Sequence, residues 1–286
     1  MTIIDGKSLA EKIKDQIAKE IYNLRKPRPN LAIVLVGDRE DSCLYVNLKE
    51  KQAKTIGIDT HLYKCEADIS EKKLLQTINY LNKDKEINAI LVQLPLPKHI
   101  NTKKIIQAID PNKDIDGFHS ENLKHLCKQT DGFKIIPPVY GVILEILKSI
   151  NYDLSNKQVC IIANADIFEE NLAELLNSMN AKVVLAKVND SDLKEKTSQA
   201  DVLITAVGKP GYITKDMVKQ GSVVIDIGIT KVNGQIKGDV NFDDVKDKVG
   251  YITPVPGGVG PMTIAMAFKN TLGVCNKCKC QKTNLI

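Results

Sequence analysis

No apolar run in the 286 residues approaches the ~20 that a membrane-spanning helix requires. The opening MTIIDGKSLAEKIK has neither the apolar core of a signal peptide nor the arginine-rich, acid-poor character of a transit peptide. A cytoplasmic protein without a membrane partner is therefore expected, with its seven cysteines reduced. No basic stripe is present either. The lysines are scattered, so the net charge of +5 reads as a solvated surface and excludes a nucleic-acid partner. Cys43, Cys65, Cys127 and Cys160 stand singly, as small packing residues do. The tail CNKCKC offers three thiols, Cys275, Cys278 and Cys280, one short of a closed zinc site. No metal is expected, and residues 275–286 read as a polar terminus. Repeats and low-complexity segments are also missing. A last absence is local: after the strand-like run QVCIIA, the segment NADIFEEN holds no glycine where a nucleotide-binding turn would have one.

What is present is ordinary globular material, 43% hydrophobic and 26% charged, enough for two medium domains with their own cores. Leu9, Ile13, Ile17, Ile21 and Leu24 recur at helical spacing, and PRP at 27–29 closes that helix. LAIVLVG (31–37) and INAILVQ (87–93) are short and apolar throughout, as strands buried on both faces are. Helices are expected over 42–56 and over SEKKLLQTINYLN, with a strand in TIGIDTHLYK between them. The β-α-β-α order predicts a parallel sheet covered by helices.

Past Pro137 and Pro138, VYGVILEILKSI reads as a connecting helix, and a second alternating series begins near residue 155. QVCII, KVVLA, DVLITAV, SVVIDIG and YITPV are its strands; NLAELLNSM, DLKEKTSQ and TKDMVKQ are its helices. Asn233-Gly234 marks a hairpin. This is a doubly wound, Rossmann-type pattern. A last helix is expected from Pro261 to Leu272, with Gly273 just past its end, packing back on the first domain. The expected α/β architecture has two domains: residues 1–137 with the returning helix 261–274, and the nucleotide-type domain 138–260.

Four places could carry chemistry. Tyr45 and Lys49, four apart, share one face of the second helix, and a partly desolvated lysine loses basicity. The same spacing serves short-chain dehydrogenases, but no glycine-rich turn precedes it here. Gln93 ends a strand, at the edge where parallel sheets collect ligands, and Asp116 follows in the turn-rich DIDGFH. Gln93 could equally cap its strand, and Asp116 could brace a turn. PVPGGVGPMT (254–263) is stiffened by prolines and would let a ligand approach the backbone at Gly257 and Gly258. AVGKPG (206–211) lies at the carboxyl end of another strand.

YVNLKEKQAKTIGI, ILVQLPLP, DIDGFH, AVGKPGYI, VIDIGI and YITPVPGGVGPMT occur in this order and at these spacings. Together they make the chain resemble, from about residue 2 to residue 274, the bifunctional methylenetetrahydrofolate dehydrogenase/methenyltetrahydrofolate cyclohydrolase family. The resemblance implies oxidation of methylenetetrahydrofolate with NADP or NAD, then hydrolysis of the methenyl product to formyltetrahydrofolate, in a homodimer with folate between the domains. It implies that Lys49 is the acid/base of hydrolysis, that Tyr45 positions it and packs on folate, that Gln93 supports it, and that Asp116 holds the pterin. Leu94, Pro256, Gly257 and Gly258 would line the substrate; Ala163, Asn164, Ala165, Gly208 and Ile229 would meet the cofactor.

Two family motifs are altered. The family's P-C-T-P-x-G reads IPPVYG at 136–141, and its G-R-S-x-x-V-G-x-P nucleotide loop reads ANADIFEEN, without glycines, arginine or serine. The family's histidine-serine-arginine run reads AKVN at 186–189, where Lys187 is the one positive charge. Asp166 and Glu169 are spaced as a capping box, which would occupy the N–H groups a phosphate needs. One negative charge ~5 Å from a phosphate, at an effective dielectric of ~20, costs roughly 3 kcal/mol. Reduced or lost NADP affinity is the resulting expectation, with a cyclohydrolase lacking the redox half, or a non-catalytic folate binder, as alternatives.

Overall fold

The computed structural model describes residues 1–24, 27–126 and 133–283, with the backbone only for 278–283. In chain order the first elements are β1 (Thr2–Ile3), α1 (Gly6–Asn23), β2 (Asn30–Val36), α2 (Glu40–Ile56), β3 (Asp59–Cys65), α3 (Glu71–Lys83) and β4 (Ala89–Val92). The short helices α4 (Thr102–Ala108) and α5 (Ser120–Lys124) follow, then α6 (Pro138–Ser149). The second series is β5 (Gln158–Ala163), α7 (Asp166–Asn177), β6 (Lys182–Ala186), α8 (Leu193–Ser198), β7 (Val202–Ala206) and β8 (Val223–Asp226). It closes with the hairpin β9 (Thr230–Val232) and β10 (Gln235–Lys237), α9 (Phe242–Val245), β11 (Tyr251–Ile252) and α10 (Val259–Thr283). Among the described residues no helix is long and apolar enough to cross a membrane.

The chain forms two compact units, one of Glu11–Pro138 with Ile264–Ile286, the other of Met1–Ala10 with Val139–Thr263. In the first, β3-β2-β4 make a parallel sheet. Every residue of β2 after Asn30 is buried, as its unbroken apolar run predicts. Ala32, Val34 and Ile90 pack with Leu74, Ile78 and Leu81 of α3 and Ile105 of α4. Ser70 Oγ and Asn101 Oδ1 cap α3 and α4 by accepting from the amides of Lys73 and Lys104.

The second unit holds a six-stranded sheet in the order β1-β11-β8-β7-β5-β6, parallel throughout. β6 lies on one side of β5 and β7 on the other, so the winding reverses at β5, the place where such sheets bind ligands at their carboxyl ends. Residues 1–10 belong here and not to the first domain, because Thr2 and Ile3 pair with Tyr251 and Ile252.

Three expectations of the sequence need correction. TKDMVKQ forms only a 3-10 turn, Lys215–Met217, anchored by Lys215 N–H on Asp244 Oδ2 at 2.6 Å. α10 does not stop at Gly273 but runs through it. A side-chain carbon at Gly273 would collide with the ring of Phe133, so this glycine serves close packing rather than termination. The terminus is accordingly helical to Thr283, with Cys275 buried. Cys160 is also buried, which pushes its thiol up to about 12, while Cys43 and Cys65 are half-buried. Cys127 and the side chains of Cys278 and Cys280 lie outside the described residues.

Candidate active site

α2 starts beyond the carboxyl end of β2 and carries Lys49 three turns in; β4 ends one residue before Gln93. Both therefore stand at the ligand-collecting edge of their sheet. Lys49 Nζ donates to Gln93 Oε1 at 2.9 Å, and Gln93 Nε2 donates to the carbonyl of Leu94 at 2.7 Å. With its amide tied to Leu94, Gln93 can present only its oxygen to the lysine. Burial holds Lys49 below the usual lysine range, and the negative charge of Asp116 opposes that shift. Asp116 is pushed up to about 6, chiefly by burial, with Lys49 pulling the other way and Asp114 adding to the rise.

The brace of this loop is Asp114, which sequence reading overlooked. Its carboxylate is 1% exposed and accepts from Gly117 N–H at 3.1 Å, His119 N–H at 2.8 Å and Asn122 Nδ2 at 3.2 Å. Asp116 is thereby spared that duty, and among the described residues it accepts no hydrogen bond. The only cue in the sequence was the DxDG spacing, which cannot say which aspartate turns inward. Gly117 has φ +70°, and a side-chain carbon there would meet Pro137 N at 2.9 Å, so the turn admits only glycine. Asn270 of α10 closes the same region by donating to the carbonyls of Ile115 and Ile136 at 2.9 and 2.8 Å. Tyr45 lies one turn before Lys49 and is 43% exposed, an aromatic face open to stacking; Leu94 is exposed beside Gln93.

Pro256, Gly257 and Gly258 belong to the other unit. There Gly257 accepts at its carbonyl from Lys7 N–H at 3.1 Å, and a carbon added on its Cα would make only ordinary contacts, with Lys7 Cε at 3.7 Å and Pro254 Cγ at 3.9 Å. Gly258 has no such room: a side-chain carbon there would strike Pro254 O at 2.6 Å and Thr253 Cβ at 2.8 Å. Its glycine is required by chain packing, whereas Gly257 is the one a ligand could approach.

In the six-stranded sheet, Ala163 ends β5, Gly208 follows β7 and Ile229 follows β8, so all stand at the carboxyl edge of adjacent strands. Asn164 Nδ2 donates to Val207 O at 2.5 Å and ties the first two loops together. Two buried aspartates hold the rest. Asp239 accepts from Thr205 Oγ1, Val207 N–H and Lys209 N–H at 3.0, 2.7 and 2.9 Å. Asp226 accepts from the amides of Gly228, Asp239 and Val240 at 2.9, 3.1 and 2.9 Å. Burial raises Asp226 to about 6 despite these bonds. Neither aspartate was singled out in the sequence, since their partners lie up to 34 positions away.

The expected capping box is not formed. The cap of α7 is Ala165, one residue before Asp166, and among the described residues no side chain caps the first turn. Glu169 is therefore the fourth helical residue, past the position from which a box glutamate reaches back. Instead Asp166 Oδ1 and Glu169 Oε1 both take Lys187 Nζ, the former at 2.7 Å, which hold the lysine above its ordinary range. Residues 164–167 are exposed, and the N–H end of a twelve-residue helix with its positive dipole end faces outward without a side-chain acceptor. Space is also present at Gly208 (φ +68°), where an added carbon would meet only Thr230 Oγ1, at 4.0 Å. These features fit a dinucleotide's pyrophosphate.

The class is thus an α/β enzyme pairing a nucleotide-type sheet with an acid/base site built on a lysine of lowered basicity. Residues 4–116 match the catalytic-domain model of tetrahydrofolate dehydrogenase/cyclohydrolase, and residues 137–279 match its NAD(P)-binding domain. The bifunctional protein FolD of Sulfurovum sp. is 45% identical over 276 residues, covering 95% of this chain and 98% of that one. The crystal structure of the bifunctional FolD methylenetetrahydrofolate dehydrogenase/cyclohydrolase from Campylobacter jejuni superposes with TM-score 0.93 at 39% identity, covering 97% and 99%. The Trypanosoma brucei enzyme, crystallised with NADP and an inhibitor, gives TM-score 0.91 at 31% identity, covering 97% and 98%. The chain belongs to the tetrahydrofolate dehydrogenase/cyclohydrolase family.

Proposed function

We propose that this chain carries both activities of its family, oxidising methylenetetrahydrofolate with a nicotinamide dinucleotide and hydrolysing the methenyl product to formyltetrahydrofolate. The observation that carries the hydrolytic half is the Lys49–Gln93 bond beside Asp116, with burial lowering the lysine's basicity. Water attacks the electron-poor amidinium carbon while neutral Lys49 takes its proton. The C–N bond of the resulting carbinolamine then breaks as the lysine ammonium returns a proton to the departing nitrogen and the hydroxyl proton passes to solvent. Gln93 keeps Nζ in place through these changes of charge, since its oxygen accepts from amine and ammonium alike. Asp116, free of hydrogen bonds among the described residues, offers two oxygens to pterin N–H donors. Tyr45 supplies a stacking face.

For the oxidative half, the bound nicotinamide ring supplies the hydride acceptor. The protein's part is orientation: the open first turn of α7 and the Asn164–Val207 tie would hold the dinucleotide, with Gly208 and Ile229 along its course. The uncapped helix favours a working redox half over a cyclohydrolase that has lost it. A cytoplasmic homodimer completes the proposal, by family likeness. Assaying wild type and Lys49→Ala on methenyltetrahydrofolate tests the hydrolytic assignment; undiminished hydrolysis by the variant would refute it.

A further inference from the structure

In Rossmann-type sheets the adenosine ribose lies between the first helix and the carboxyl end of the second strand, where an acid accepts from a free 2′-hydroxyl or an arginine meets a 2′-phosphate. Here those landmarks are the first turn of α7 and Lys187, the residue after β6. The unit has no arginine: the chain's three are Arg25, Arg28 and Arg39, all in sequence ranges of the other unit. The cation that follows β6, Lys187, is already bound by two carboxylates, Asp166 and Glu169. Two carboxylates and one ammonium leave one negative charge, and exposed Glu170 adds another. The charges on the far side cancel in part as well, because Asp190, which accepts from Lys187 N–H at 3.0 Å, is paired with Lys196 at 2.9 Å.

The second observation concerns Glu169 itself. Its residue is 3% exposed, Oε1 takes Lys187, and among the described residues Oε2 has no hydrogen-bond partner. A buried carboxylate oxygen without a donor is costly, and the group that relieves it must bring a hydrogen. A ribose hydroxyl does so. A 2′-phosphate brings close to two further negative charges and only acceptors.

We infer that this cluster selects the dinucleotide with a free 2′-hydroxyl, NAD, and rejects NADP, with Glu169 and Asp166 as the specificity-determining residues. The inference rests on the dinucleotide binding proposed above. It also gives the lost glycines of ANADIFEEN a consequence other than loss of the cofactor: the pyrophosphate end stays open while the ribose end has changed sign.

Calorimetric titration of the full chain with NAD and with NADP tests it directly. Wild type should bind NAD at least ~10-fold more tightly, the scale of a single unfavourable charge contact near a protein surface. The double variant Asp166→Asn/Glu169→Gln releases Lys187 as a free cation and should narrow or invert that ratio by tightening NADP. Glu169→Gln alone serves as a milder second variant, with circular dichroism and thermal melting recording that each folds. Wild type binding NADP as tightly as NAD, or a ratio unmoved in both folded variants, overturns the selection but leaves dinucleotide binding standing. Binding of neither nucleotide overturns both.

Discussion

Lys49 and Gln93 stand 44 positions apart in the chain and 2.9 Å apart in space, the lysine donating and the glutamine accepting. The bond joins a helix that follows one strand to the end of that strand's neighbour, so the sheet itself fixes the acid/base group. Gln93→Leu keeps the volume and removes the acceptor. Hydrolysis should fall by roughly 10- to 100-fold, chiefly in kcat, while Lys49→Ala removes the proton carrier and should cost on the order of 10²–10⁴. Steady-state rates on methenyltetrahydrofolate, with thermal melts alongside, separate these effects from misfolding.

The pH profile follows from the two opposed shifts. Lys49 acts as base when neutral, so hydrolysis should rise as pH passes up through its lowered pKa. Asp116 binds the pterin as a carboxylate, so KM should climb as pH falls below about 6. Because the charge of Asp116 holds the lysine's pKa up, Asp116→Asn should move the rising limb to lower pH while raising KM. A limb that stays in place in that variant would show that the two groups are not coupled.

Asp239 offers a contrasting prediction, since its effect should fall on the redox half. Asp239→Ala strands the amides of Val207 and Lys209 and the hydroxyl of Thr205 in a buried place, at about 1–3 kcal/mol for each unsatisfied group. Thermal denaturation should shift down by several degrees, and NAD affinity should weaken as the loop around Gly208 loses its anchor. Its neighbour Asp226 has a folded pKa of about 6, above the ordinary carboxylate value. A raised folded pKa means stability that is fully present below about pH 4 and lost as pH climbs through 6. Asp226→Asn should flatten that slope in melts recorded between pH 4 and 7, although it breaks one of three backbone bonds.

Gly273→Ala tests the reading of the interior helix glycine. Helix propensity alone would gain about 1 kcal/mol from the change. The collision with the Phe133 ring should outweigh it, for a net loss of about 1–3 kcal/mol by chemical denaturation. A stabilised variant would mean the ring yields freely.

Much of the fold was legible because its signals are local. Continuous apolar runs marked β2, β4, β5, β7 and β8, and Asn233-Gly234 marked the hairpin, where both residues have positive φ. The elements missed depend on partners far away. β1 is two residues long and exists because Tyr251 and Ile252 accept it at the sheet edge. TKDMVKQ has helical composition but is held to a single turn by Asp244. The site divides in the same way. Lys49, Gln93 and Asp116 were readable from residue type and strand ends, whereas Asp114, Asp226 and Asp239 gain their roles only from backbone amides that folding delivers. The acidic ANADIFEEN looked like a self-capped helix because spacing cannot show where a helix begins; a shift of one residue turned a capping box into a lysine bridge.

The most direct test of the whole account is one reaction: methylenetetrahydrofolate and NAD with the wild-type chain, following NADH and formyltetrahydrofolate together. Both products should form in equal amounts, with the methenyl compound accumulating in their place when Lys49→Ala is used. Formation of neither product, with NAD or with NADP, would contradict it.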